Sequence, residues 1–426
     1  MAPAMASPLA QWWRWLRNPA FWMAAADIFA VITALVLPWS TTLVSVFALL
    51  WLGSAAVMVD YPAWARSLKQ PICALPLALF GLAVLGTLWS GAPWAERLHS
   101  VGPYAKFLLL PGLFQYFARS SRGMWVFVAF LVSNVLMMGV SWIAGIDPTF
   151  TLKAWDDYPC GVFVKNWIDQ GQEFSMCAVA LAFPVMTLLK EGKRWQAGVL
   201  IAIALGFVLN MMFVVVSRTA LVTMPLMLAL FALRYLNWRQ SAVLALVALI
   251  AAAAWAVTPP MCRLHQTISN EVQQFEQRDA PTSSGLRMTY WKKAIGFIQD
   301  APLVGHGTGT IRGLYEKVAT GQPGTASASV VANPHNQTLH SAIQWGIPGV
   351  ILIYAMWLAH LSIFRGAGFV AWIGSLVVVQ NVLSSLFNSH LVDFHEGWMY
   401  VLGVGIAGGM VLKDKIGSPV QEPGEG

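Results

Sequence analysis

Apolar runs of about 20 residues recur along nearly the whole chain, and few architectures can hold them. A backbone in hydrocarbon must satisfy its own polar groups, so such runs cross a bilayer as helices. Twelve candidate spans can be placed, near residues 21–37, 41–59, 72–90, 103–118, 124–143, 173–189, 197–216, 219–236, 241–257, 343–363, 367–387 and 397–412. Hydrophobic residues make up 57% of the chain and charged ones 11%, against roughly 25% charged in soluble domains. The 21 tryptophans suit membrane–water interfaces. The expected fold class is an all-α polytopic membrane protein with about 12 transmembrane helices. It forms one transmembrane domain over residues 1–426, with a large insertion at about 258–342, between spans nine and ten. A second span follows the first almost at once, with no small-residue cleavage site between them. The first therefore reads as a retained helix rather than a signal peptide.

A formal net charge of +7 would suggest nucleic acid in a soluble protein, but here the placement of charge matters more than its sum. Fourteen of the 26 Lys and Arg residues gather on one side: Arg14, Arg17, Arg66, Lys69, Arg119, Arg122, Lys190, Lys193, Arg194, Arg234, Arg239, Arg365, Lys413 and Lys415. Positive residues in short loops mark the cytoplasmic side, so both termini are expected there. The loops near 91–102, 144–172, 217–219, 258–342 and 388–396 then face outward. The expected partner is the bilayer, and nucleic acid is not. Of the four cysteines, Cys73 and Cys177 fall in spans, while Cys160 and Cys262 fall on outward loops, where a disulfide or free thiols are both open.

Several cationic groups sit at the outward ends of spans. Arg218, in the turn VSRT (216–219), is pinned between two spans; it is either a snorkelling headgroup contact or an anion ligand. Arg287 falls in the first turn of a helix expected over 283–298, capped by Ser283 or Ser284, where a helix N-terminus and a guanidinium together favour an anion. Leu286, Tyr290, Ala294 and Phe297 form its apolar stripe, which suits a helix lying along the bilayer surface. Lys292 and Lys293 read as solvated. Arg97, His99 and Lys106 flank the fourth span, for headgroups or ligand equally.

The stretch NPHNQTLHSAIQWGIPG (333–349) places His335 and His340 at the lip of span ten. Five residues apart, they diverge on a helix and cannot share a metal as an i, i+4 pair can. No His-Glu-x-x-His, Cys-x-x-Cys or acidic cluster is apparent, so no metal and no cofactor are expected. There is also no nucleophile elbow and no phosphate-binding glycine loop; GHGTG (305–309) follows no strand and reads as a glycine-permitted turn. A neutral imidazole can accept a hydroxyl proton, and arginines bind phosphate through a rigid fork. These are the parts needed to transfer a group from a lipid-linked pyrophosphate to an alcohol.

Residues 335–349 fit the pattern His-[Asn/Ser/Gln]-x9-Gly-x-x-[Gly/Thr/Tyr] and resemble bacterial O-antigen ligases. Arg287, Trp291, PLVGHGTG (302–309) and HN (335–336) resemble that family's large periplasmic loop, and VSRT (216–219) its arginine-bearing turn. The resemblance implies a GT-C-like membrane glycosyltransferase with a helical periplasmic loop. Acting without metal on the periplasmic side of the inner membrane, it would join an undecaprenyl-pyrophosphate-linked O-antigen donor to a lipid A–core acceptor, with inversion. His335 would be the catalytic base, and Arg218 and Arg287 the pyrophosphate ligands. Asn336 would set the His335 ring or contact sugar. Arg97, Lys106, Asp393 and Glu396 are candidates of second rank, and His340 is assigned to structure. Spans four, eight and ten would wall a lateral cavity under the insertion. An O-antigen polymerase or a protein O-oligosaccharyltransferase would share the donor and differ in acceptor. A lipid or sugar transporter would instead place its charges at midplane, where only Asp27 falls.

Overall fold

The computed structural model describes residues 18–147, 149–152, 161–164 and 166–417. Cys160 and the side chain of Cys262 lie outside the described residues; Cys73 and Cys177 are buried free thiols. The described residues are helical throughout, with no strand among them.

Among the described residues, seven helices are long and apolar enough to cross a membrane: Pro19–Val36, Gly123–Ile146, Trp167–Lys190 (read across a break at Leu181), Arg194–Phe213, Arg218–Tyr235, Trp238–Ala256 and Gln337–Ile363. Thr41–Ala56 and Tyr61–Ser67 would make an eighth together, but they are bent by 118°. The remaining expected spans are helical where they were placed, though shorter or broken. Pro71–Leu85 and Phe369–Ser384 have 15 and 16 residues. The fourth span starts as a 3₁₀ helix, Gly102–Leu109, and continues as Leu110–Phe117. Pro103 and Pro111, which lack an N–H, favour such short starts over one continuous helix. The last helix is Phe394–Gly417. Trp238–Ala256 has no buried residue, and an apolar helix left so largely exposed suits lipid.

Large side chains lock the interior: Trp345, Trp372, Tyr104, Phe107, Phe117 and Tyr400 are essentially inaccessible. Asp27, buried in the first span, accepts bonds from Tyr116 Oη at 2.8 Å and Ser120 Oγ at 2.7 Å. A buried carboxylate satisfied in this way is a structural anchor. Glu173, in Trp167–Lys190, is a second buried acid that the expectation of Asp27 alone did not include.

The insertion is helical too, as Pro259–Arg278, Ser283–Asp300 and Ile311–Lys317. Its middle helix matches the expected segment, but Thr282 is its cap, accepting from the Gly285 amide. The expected bilayer-facing stripe turns inward: Tyr290, Ala294 and Phe297 pack with Ile311, Tyr315 and Ile343. Lys292 is exposed, whereas Lys293 is half-buried and donates to Ser327 O at 2.6 Å.

Gly346 explains how the insertion is held. Its backbone, at φ +58° and ψ −146°, interrupts Gln337–Ile363, and a Cβ there would lie 2.4 Å from Pro302 O. Ile347 N turns away to Pro302 O, and Pro348 has no N–H to offer. The carbonyls of Ile343 and Gln344 thus lose their helical donors and accept His306 N and Gly307 N at 2.9 and 2.8 Å instead. GHGTG is therefore a turn wedged between helices, its amides spent within the protein. Trp345 Nε1 and Ser90 Oγ close it through Thr308.

Candidate active site

The chain reverses at His335 with φ +54°, a left-handed conformation costing of order 1 kcal/mol or more outside glycine. Four bonds hold the turn. Asn333 Oδ1 accepts from His335 N at 2.9 Å and from Ser389 Oγ at 2.7 Å. Trp291 Nε1 donates to Pro334 O at 3.0 Å. Asn336 caps the following helix, accepting from Leu339 N at 3.0 Å, a contribution of about 1 kcal/mol. Its Nδ2 donates to Leu386 O at 3.1 Å, so Asn336 is occupied as a cap rather than by the imidazole.

The ring partner is Asn388, on the loop after Phe369–Ser384. Asn388 Oδ1 lies 2.9 Å from His335 Nδ1, and Asn388 Nδ2 donates to Asp393 Oδ2 at 2.7 Å. Tyr290 stacks on the opposite side, with centroids 6.1 Å apart and planes at 27°. Burial lowers the His335 pKa, the Asn388 bond opposes this, and the Arg287 charge lowers it further. The imidazole is therefore held toward its neutral, proton-accepting form.

Arg287 is the hub of the positive groups. Burial and the repulsion of Arg218 weaken its hold on its proton, and Glu271 partly compensates. Arg287 thus lies within electrostatic reach of both Arg218 and His335. Arg218 opens the helix Arg218–Tyr235. Gly171 packs closely at this point: a Cβ there would lie 2.4 Å from Ser217 Cβ. Both terminal nitrogens of Arg218 engage Glu271, on the insertion's first helix, at 3.1 and 2.8 Å. The same carboxylate accepts from Ser284 Oγ at 2.7 Å and Ser284 N at 3.2 Å, at the start of the Arg287 helix. Burial raises the Glu271 pKa, but the bonds from Arg218 and Ser284 outweigh it and hold the carboxyl below its usual range. Arg218 and Ser284 are thus satisfied together by the Glu271 carboxylate.

The second-rank residues separate. Arg97 is spent on structure: its Nε and Nη1 donate to Ala92 O and Thr87 O at 2.6 and 2.8 Å, and it lies over Trp94. Lys106, Asp393 and Glu396 meet in a buried cluster. Lys106 Nζ donates to Asp393 O at 2.8 Å, and any Cβ at residue 397 would lie 1.9 Å from Nζ, which is why Gly397 stands there. Asp393 is pushed up to about 7 by burial and by Asp169, against the pull of Lys106. His390, lowered to about 4 mainly by burial, faces Glu396 Oε1 at 3.7 Å and Asp393 Oδ2 at 4.0 Å. Asp169 also binds His395 Nδ1 at 2.7 Å.

The expected lack of an acidic cluster thus gives way to one assembled by folding. The ligand atoms of His390, Asp393 and Glu396 lie within 4.8 Å of one another, a spacing a cation could bridge. Here the Lys106 ammonium already supplies positive charge beside Asp393 and Glu396. His340 is buried in the helix interior. Among the cavities, an apolar crevice is lined by Met124, Phe127, Leu131, Phe369, Val377 and Leu402, and it touches none of the site residues. Lys106, Arg218 and His335 lie at the starts of the helices expected as spans four, eight and ten.

The sequence alone did not reveal Asn388 or Glu271. Each lies 53 residues from the partner it binds. The polar run NSH (388–390) beside Asp393 was the one available sign of the first, and nothing singled out Glu271 among the insertion's polar residues.

Fold and site together describe a polytopic membrane protein in which Arg287 lies within electrostatic reach of His335 and of the Arg218–Glu271 pair. Residues 201–354 match the family model for O-antigen ligase. The matched segment includes Arg218, Glu271, Arg287 and His335. The family is one of glycosyltransferase-like membrane enzymes of the ligase and polymerase type. No curated protein matches the chain.

Proposed function

We propose that the protein is an O-antigen ligase, moving an undecaprenyl-pyrophosphate-linked O-antigen onto lipid A–core at the periplasmic face of the inner membrane. Arg218 and Arg287 bind the diphosphate, and charge growing on it as the glycosidic bond breaks is met by both guanidiniums. His335 takes the proton of the acceptor hydroxyl. Direct displacement by that hydroxyl inverts the anomeric centre and calls for no metal. The tail of the donor stays in lipid, so chemistry at the lip of a span is where its head group emerges.

The observation that carries this reading is Glu271 seated in the Arg218 fork and on Ser284: an anionic group already occupies the position beside Arg287. The test is transfer by purified protein from a lipid-pyrophosphate glycan, with lipid A–core and an acceptor protein offered separately. Product on lipid A–core supports a ligase. Product on the protein alone supports an O-oligosaccharyltransferase, and chain extension without either acceptor supports a polymerase.

A further inference from the structure

We propose that Asn388 is a positioning residue for the transfer, holding His335 in the tautomer whose Nε2 accepts the acceptor proton; this rests on His335 being the base assigned above. Two independent bonds sort the Asn388 amide. Its Nδ2 is taken by Asp393 Oδ2 at 2.7 Å. Its Oδ1 accepts from Asn333 Nδ2 at 3.3 Å, and Asn333 is itself sorted because its own Oδ1 accepts the His335 backbone N–H and Ser389 Oγ. The atom facing His335 Nδ1 is therefore an acceptor, so Nδ1 carries the hydrogen. The lone pair is left on Nε2. A second-sphere partner that fixes both tautomer and ring plane is what a histidine base requires.

In the step itself the acceptor O–H proton passes to Nε2, and the acceptor oxygen bonds to the anomeric carbon. The bond from that carbon to the diphosphate oxygen breaks, its electron pair leaving with the diphosphate. His335 ends as an imidazolium, still donating from Nδ1 to Asn388. The groups facing it are Tyr290 and Arg287 from Ser283–Asp300, and Asn388, His390 and Asp393 from the loop after Phe369–Ser384.

The test compares pH–rate profiles of wild type, Asn388→Ala and Asn388→Asp, with binding of an undecaprenyl-pyrophosphate glycan measured alongside. Asn388→Ala should lose turnover by about 100-fold, the scale of a misplaced base, with donor affinity held within about threefold. Asn388→Asp keeps the shape and the acceptor; its carboxyl meets Asp393 where the amide now donates, so the two share a proton and negative charge moves closer to the ring. It should retain much of the rate, with its acid limb moved to higher pH by about one unit. This near-isosteric variant guards against a change that merely fails to fold. Wild-type turnover in Asn388→Ala, or an unshifted acid limb in Asn388→Asp, overturns the inference. His335→Ala separates the two levels: if it still transfers, the base assignment itself falls. If it is dead while Asn388→Ala is not, only the role of Asn388 falls.

Discussion

Arg218 and Glu271 form a two-pronged ion pair, at 3.1 and 2.8 Å, between the start of a membrane helix and the insertion above it. On the proposed reading, a diphosphate bound by Arg218 displaces this carboxylate, and Glu271 is a placeholder beside two half-buried cations until the donor arrives. Glu271→Gln keeps the shape but weakens the competitor. The KM for donor should fall several-fold, with turnover changed little; an unchanged or raised KM would count against displacement.

The fork geometry matters as much as the charge. Arg218→Ala and Arg287→Ala should each cut kcat/KM by about 100-fold or more, the scale of removing one transition-state donor. Arg218→Lys should recover part of the loss, because an ammonium cannot make both bonds. Full activity in the lysine variant, read in the same assay, would remove the argument for the fork.

His335 should work as a base below the ordinary imidazole range, because burial and Arg287 both disfavour its imidazolium. The sign is testable through the cation. Removing positive charge lets the ring keep its proton to higher pH, so residual transfer by Arg287→Gln should show its acid limb moved upward. A downward move would contradict the electrostatics.

How much of this was legible in the residues divides along physical lines. Apolar runs mark helices because hydrocarbon leaves the backbone no other partner, and all twelve segments are helical where expected. Which of them cross in one piece was not legible, since breaks such as Gly346 depend on what packs against them. Arg218, Arg287 and His335 stood out as charges and an imidazole at span ends. Asn388 and Glu271 did not, because an ordinary polar residue gains its role only from the atom folded against it. Asn336, adjacent to His335 in sequence, looked like its partner, yet an N-cap points its side chain back along the helix rather than at its neighbour.

Gly346→Ala should destabilise the fold by about 1 kcal/mol or more, since alanine is strained at positive φ and its Cβ meets Pro302 O at 2.4 Å. Thermal unfolding in detergent should show a clear drop, accompanied by lost activity as the His335 turn shifts. An unaltered melting temperature would mean that the break is not set by this residue.

Lys106→Met leaves Asp393 and Glu396 without their nearby cation, and removing one partner of a buried charge group costs roughly 3–5 kcal/mol. The variant should regain stability as pH falls and Asp393 takes a proton. If Lys106 is the cation this cluster uses, a strong chelator should leave wild-type transfer unchanged.

The central claim is that His335, Arg218 and Arg287 act on one lipid diphosphate to move its glycan. The direct measurement is single-turnover transfer from undecaprenyl-pyrophosphate glycan to lipid A–core by wild type and His335→Ala, with donor binding followed in both. Wild type should form product with EDTA present, while His335→Ala should bind donor normally and form almost none. Normal product from His335→Ala, or wild-type activity lost in chelator and restored by a divalent ion, would contradict it.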